Sequence, residues 1–399
     1  MNIFIINSGS SSIKYQLFRM PSTAPLCSGI IERIGSDDAV VTHKIYIAGE
    51  EKKYSFSLGA ADHAAGLHKV NELLTDKAIG VIADRGEIRV VGHRVVHGGE
   101  KFTKPTVITL QVKEQLKEMF PLAPLHNPPG YKGIEVAEKV FPDAVQVAVF
   151  DTAFHQTLPA KAYRFAIPNA YYTDHNIRVY GFHGTSHQYV SHQASLFLGK
   201  KDAKIISIHL GNGCSMAAVD SGRSADTSMG FGPLSGLIMG TRSGDIDPTV
   251  IFYLINQLGY QPEQVNGLLN KQSGMLGLTG FIDMRDVIKA INSGDENARL
   301  AQDMYAYRIK KYIGAYAAVL NGIDAVVFTA GVGENDVIVR ELVCNDMEYL
   351  GLELDRDRNS VRSDGIREIS KTGSKAKILV IPTNEELEIA RQCYELLSV

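Results

Sequence analysis

The chain has 399 residues, 45% hydrophobic and 21% charged, which is enough apolar material for two packed domains and too much for intrinsic disorder. Its formal net charge is −3 and its Lys and Arg are scattered without a basic run, so it lacks the electrostatic footprint of a nucleic-acid binder. No apolar stretch approaches membrane-spanning length, and Met1-Asn2-Ile3-Phe4-Ile5-Ile6 lacks the basic start of a signal peptide. The four cysteines (Cys27, Cys214, Cys344, Cys393) contain no C-x-x-C pair, and a cytoplasmic protein without a membrane partner is expected.

In chain order, the apolar run Ile3-Phe4-Ile5-Ile6, the small-residue tip Asn7-Ser8-Gly9-Ser10-Ser11-Ser12 and the alternating Ile13-Lys14-Tyr15-Gln16-Leu17 predict a hairpin. Helical patterns at 61–74 and 112–119 and strands at 89–96 and 144–150 follow. A second hairpin comes about half a chain later, with strand 205–210, the tip Gly211-Asn212-Gly213 and strand 216–219. Helices at 248–258 and 298–320, a strand at 325–329 meeting a Gly-rich turn, a strand at 378–381 and a last helix at 384–397 complete the series. Interleaved strands and helices give the α/β class, and two hairpins opening two halves imply a duplicated α/β domain with a cleft separating the copies. The expected domains are 1–151, with a terminal helix 386–399 packing back on it, and 152–385.

Three Gly-rich turns, at Asn7, at Gly211 and at Gly331-Val332-Gly333-Glu334-Asn335, offer backbone N–H groups to phosphate, with Lys14 beside the first. None completes a Walker or Rossmann fingerprint, and neither zinc spacing nor a nucleophile elbow occurs. Arg94, in an apolar strand, and Arg242, in a small-residue loop, are costly to bury without an anion or a carboxylate; a shared anionic ligand and structural salt bridges are both open readings. His126 in a Pro-rich loop, His183 after Gly181-Phe182 and Asp151 at a strand's carboxyl end have equally ordinary alternatives as core residues or caps. In Thr383-Asn384-Glu385-Glu386, Thr383 and Glu386 have the spacing of a capping box. That leaves Glu385, with Asp151, to supply charge to magnesium.

These motifs, with Gly92-His93-Arg94-Val95-Val96-His97-Gly98-Gly99, Pro124-Leu125-His126-Asn127-Pro128, Phe150-Asp151-Thr152-Ala153-Phe154-His155 and Met239-Gly240-Thr241-Arg242-Ser243-Gly244-Asp245, resemble the acetate kinase family in order along nearly the whole chain. The resemblance implies duplicated ribonuclease H-like domains of the actin, Hsp70 and sugar-kinase type, a homodimer, and transfer of the γ-phosphoryl group of ATP to acetate, giving acetyl phosphate and ADP. Magnesium, or manganese in its place, would be held by Asn7 and Glu385. Arg94, Arg242, Asp151, His126 and His183 would be catalytic. Lys14, His209, Gly211, Asn212, Gly213, Asp283, Met284, Arg285 and Gly331 to Asn335 would bind the nucleotide, while Arg94, Val96, Leu125, Phe182 and Pro233 would form the acyl pocket. Val96 and Phe182 suggest a tight pocket, favouring acetate over the propionate or butyrate of related kinases. Arg94 and His126 in apolar surroundings argue against a non-enzymatic ATP-driven clamp or filament protein. Cys214, where the family commonly has glycine, and Gly232 and Ser235, in a segment that often carries Thr and Glu, depart from the pattern.

Overall fold

The computed structural model describes residues 1–398 apart from Ser10, Ala48 and Ala60. Ser10, in the tip of the first hairpin, thus lies outside the described residues. The chain forms two compact units, one made of 1–153 with 384–399 and the other of 154–383.

Unit 1 is built on a sheet of eight strands: β1 (Asn2–Ser8), β2 (Ser12–Arg19), β3 (Pro25–Glu32), β4 (Ala39–Ile47), β5 (Glu50–Gly59), β6 (Ile88–Val95), β7 (Thr106–Val107) and β8 (Val145–Phe150). Their spatial order is β5-β4-β3-β2-β1-β6-β8-β7. The run Ile3 to Ile6 is buried on both faces because β1 is central, antiparallel to β2 and parallel to β6. Helices α1 (His63–Leu74) and α2 (Asn127–Val140) cover one face, sending Leu67, Val70, Val136 and Val140 into a core with Phe4, Ile6, Tyr15 and Leu17.

Unit 2 repeats the plan. Helix α3 (Gly184–Leu198) leads into β9 (Lys204–Leu210), β10 (Cys214–Asp220) and β11 (Arg223–Thr227), and the long helix α4 (Glu296–Leu320) precedes β12 (Ala325–Thr329), β13 (Arg367–Glu368) and β14 (Lys377–Val380). The order β11-β10-β9-β12-β14-β13 matches β3-β2-β1-β6-β8-β7 strand for strand. In each, an antiparallel meander is continued by two parallel strands and one short antiparallel edge. This is the doubled α/β domain that the two hairpins predict, and unit 1 extends its copy by β4 and β5.

The last helix, α5 (Glu385–Leu397), returns to unit 1 and packs on β1, β6 and β8. A glycine makes this possible. At Gly92 in β6, a Cβ would lie 2.8 Å from Ile5 Cδ1, 2.9 Å from Cys393 Sγ and 3.0 Å from Ile389 Cγ2, so only a bare Cα admits the helix.

Two local expectations are corrected. The N-cap of α5 is Asn384 rather than Thr383: Asn384 Oδ1 accepts from the Leu387 N–H at 2.9 Å, and no capping box engages Glu386. Thr383 is occupied elsewhere, its hydroxyl 2.8 Å from Ser186 Oγ and its N–H donating to Glu334 Oε1. The Gly-rich segment after β12 is a short helix, Ala330–Asn335, rather than a turn.

Candidate active site

In unit 1 the parallel strands bring their carboxyl ends together, the position where open α/β sheets bind ligands. Arg94, next to last in β6, donates through Nε to Asp151 Oδ1 at 3.1 Å and through Nη2 to Asp151 Oδ2 at 2.5 Å. Asp151 follows β8 directly and is 1% exposed. Arg94 also lies 3.4 Å from Glu385 Oε2 and donates through Nη1 to Asn7 Oδ1, near the end of β1, at 3.4 Å. Burial alone would depress the Arg94 pKa; the charges of Asp151 and Glu385 reverse this and hold it above the ordinary arginine value.

The structure brings Asn7, Arg94, Asp151 and Glu385 together, with Glu385 already an ion-pair partner of Arg94. Glu386 has no capping duty: it is half-buried, its pKa raised by burial and by repulsion from Glu385, with Lys14 and Arg94 as its cationic neighbours. Lys14 stands opposite Asn7 in the β1–β2 register and is exposed. Val96 is half-buried beyond β6, and Leu125 (63% exposed) and His126 precede α2 on the surface of unit 1.

Magnesium needs only one or two carboxylates alongside phosphate and water oxygens. The donors here are hard oxygens, and Asn7 and Glu385 both reach one guanidinium while Glu386 stands close enough to Glu385 for the two charges to repel, so the set fits that ion. Among the described residues no cluster of three or more His, Cys, Asp or Glu forms a metal cage.

Unit 2 contributes a cavity of about 780 Å³, within the range of a nucleotide-sized pocket. Gly211, Asn212, Asp283, Met284, Arg285, Gly331, Val332 and Asn335, all named from the sequence, line it. Gly240, Met275, Ile282, Ile288, Tyr305, Asp336, Val337, Ile338 and Arg362, which the sequence reading omits, complete its walls. Gly240 had a legible reason to be there, as part of a small-residue loop: a Cβ on it would stand 2.1 Å from Asn212 Oδ1. Gly333 and Glu334 lie off this cavity. The Gly333 carbonyl accepts from Arg340, and Glu334 lines an adjoining 520 Å³ cleft with Arg362 and Arg367. Cys214 donates its thiol to Gly211 O at 3.3 Å and meets Tyr305 Oη at 3.2 Å, so it props the loop from below. A Cβ at Gly232 would meet nothing.

Gly213 marks the reactive side of this unit. A Cβ there would come within 2.9 Å of Arg242 Nη2 and 3.4 Å of His183 Nε2, so guanidinium and imidazole flank the glycine. Arg242 donates to the Pro233 carbonyl at 2.6 Å and makes no ion pair among the described residues; burial lowers its pKa, with Cys214 opposing that. His183 sits in left-handed backbone (φ 55°) at the start of α3, with Nδ1 2.8 Å from Ser215 Oγ and its ring stacked on His209 at 4.3 Å. His209 in turn bonds Ser186. Phe182 is buried, its carbonyl accepting from His155 Nε2–H at 3.1 Å.

A serine–histidine lattice behind His183 is absent from the sequence reading. His187 lies between Ser207 and Ser215, at 2.8 Å from each. His155 bonds Ser224. The available signal was periodicity: His183 and His187 share a helix face at i, i+4, and Ser207 and His209 share a strand face at i, i+2.

A doubled α/β fold with a nucleotide-sized cavity beside a half-buried arginine and histidine, together with a carboxylate-clamped arginine at strand ends, defines a kinase. The Acetokinase family matches residues 2–391, and the chain belongs to that family. The acetate kinase of Flavobacterium johnsoniae is 56% identical over the full length of both chains. Among solved structures, Porphyromonas gingivalis acetate kinase superposes with a TM-score of 0.92 at 43% identity over 99% of each chain. A propionate kinase from Francisella tularensis gives 0.91 at 40% identity over 98% of each. No helix among the described residues is long and apolar enough to cross a membrane.

Proposed function

We propose that this chain reversibly transfers the γ-phosphoryl group of ATP to acetate, giving acetyl phosphate and ADP by direct in-line displacement. The observation that carries this reading is the meeting of Arg242 and His183 at Gly213, beside the nucleotide-sized cavity, with no carboxylate paired to Arg242 among the described residues. Such a cation is prepared for the extra negative charge of a transferring phosphoryl group.

Arg94 is assigned to the acetate carboxylate, with Asp151 fixing the orientation of its guanidinium through two parallel bonds. Acetate is already ionised at neutral pH, so no general base is required. Arg242 and His183, with His126, donate to the equatorial oxygens, and the cavity walls hold the nucleoside. Val96, Leu125, Phe182 and Pro233 are assigned to the methyl group. Magnesium, held by Asn7 and Glu385, would neutralise nucleotide phosphate charge.

A homodimer is supported by the helix Pro248–Asn256, none of whose residues is buried while Phe252 is 61% and Tyr253 58% exposed. Four buried cysteines outside any disulfide support a reducing, cytoplasmic setting.

Trapping the acyl phosphate with hydroxylamine tests the reading. With ATP and magnesium, acetate should give the hydroxamate with kcat/KM roughly 10-fold or more above propionate, the scale of one methylene in an apolar pocket. Absence of any acyl phosphate would sink the assignment, and a preference for butyrate would overturn the choice of acid.

A further inference from the structure

The lattice behind His183 contains a proton-counting constraint. Ser207 and His187 are fully buried, and among the described residues the only hydrogen-bond partner of the Ser207 hydroxyl is His187 Nδ1, at 2.8 Å. A buried hydroxyl proton without an acceptor is costly, so Ser207 must donate to Nδ1. Burial, reinforced by neighbouring His155 and His209, holds the His187 pKa well below its ordinary value and keeps the ring neutral. A neutral imidazole accepting at Nδ1 carries its one proton on Nε2. That proton goes to Ser215 Oγ, 2.8 Å away. The Ser215 hydroxyl proton then has one destination, His183 Nδ1, also at 2.8 Å.

We propose that Ser207, His187 and Ser215 form a directed relay that fixes the neutral tautomer of His183, placing its proton on Nε2, the nitrogen facing Gly213 and Arg242. The inference rests on the assignment of His183 to the transferring phosphoryl group and adds the reason why His183 offers a donor there rather than a lone pair. Ser207, His187 and Ser215 are positioning residues: they act through His183 and touch neither substrate.

The test compares Ser207→Ala, Ser215→Ala and His183→Ala with the two double variants that combine each serine change with H183A. Ser215→Ala should lower kcat roughly 10- to 100-fold, short of the loss on removing a transition-state donor outright, with KM for ATP and acetate unchanged. Ser207→Ala, at the far end, should lower kcat less. Neither change should lower activity further in the H183A background, whereas a merely structural defect would add to it. Additive losses, or full kcat in both serine variants, overturn the relay while leaving the functional reading standing. Full kcat in His183→Ala sinks that reading itself. Should the variants fail to fold, ¹⁵N-histidine spectra of the unmutated protein decide: His183 and His187 should both carry the proton on Nε2, and an Nδ1–H form of His187 overturns the proposal.

Discussion

The two units share a strand order and differ in what they do with an arginine. In unit 1, Arg94 is clamped by Asp151 and flanked by Glu385, so its charge is compensated and its geometry fixed before any ligand arrives. In unit 2, Arg242 is held by a carbonyl and is half-buried, with no carboxylate partner among the described residues. Arg94 is carried by a strand of the shared order and Arg242 by a loop after β11, and the choice of neighbours decides the use of each. A compensated guanidinium suits a monoanion that binds and leaves, and an uncompensated one suits charge that builds up during the reaction.

The sharpest way to break this comparison is to remove a group from each side. Arg242→Ala should lower kcat by about 10²–10³-fold, far more than it raises the acetate KM, because its charge matters most as negative charge develops. Its thermal midpoint should stay close to that of the unmutated protein, since no ion pair is lost. Asp151→Asn should reverse the pattern in stability, costing about 3 kcal/mol by chemical denaturation, because it removes the nearer of two acidic partners from a largely buried charge and leaves only Glu385. Equal stability losses in the two variants would erase the distinction.

Acid should weaken both units. Burial pushes His43, His93 and His97 in unit 1 and His155 in unit 2 down to about 4, so they stay neutral when folded while the unfolded chain takes up protons near 6.5. Their contribution is complete above about pH 6.5 and is lost as pH falls toward 4, each group costing about 1.4 kcal/mol per pH unit in that window. Urea midpoints at pH 7.5 and 5 check this, and identical midpoints would refute it. The smallest expected effect is that of Asn384→Ala, about 1 kcal/mol from the lost cap, confined in hydrogen exchange to unit 1. Thr383→Ala should leave that helix end protected.

The sequence makes the fold readable wherever one strand or helix carries its own pattern. Ile3 to Ile6 and 325–329 are apolar enough to declare central strands, and the two hairpins expose the duplication. Arg94 and Asp151 are legible for the same reason, as charges where the pattern expects none. Illegible features depend on distant partners. Thr383 and Asn384 can both cap a helix, and the backbone path from β14 decides for Asn384. The half-burial of Glu386 comes from tertiary packing, and the pairing of Ser207 with His187 joins a strand to a helix across a sheet face. Gly92 reads as a weak point in a strand until α5 is seen lying on it.

The return of α5 to unit 1 also sets a timetable for synthesis. The first 153 residues leave the ribosome without the helix that covers β1, β6 and β8, and at about 5–20 residues per second the intervening segment takes tens of seconds to follow. During that interval the Ile5 and Gly92 surface is open and Arg94 has only one of its two acidic partners. A nascent chain therefore carries an unfinished anion site until Glu385 is made, more than two hundred residues after Asp151.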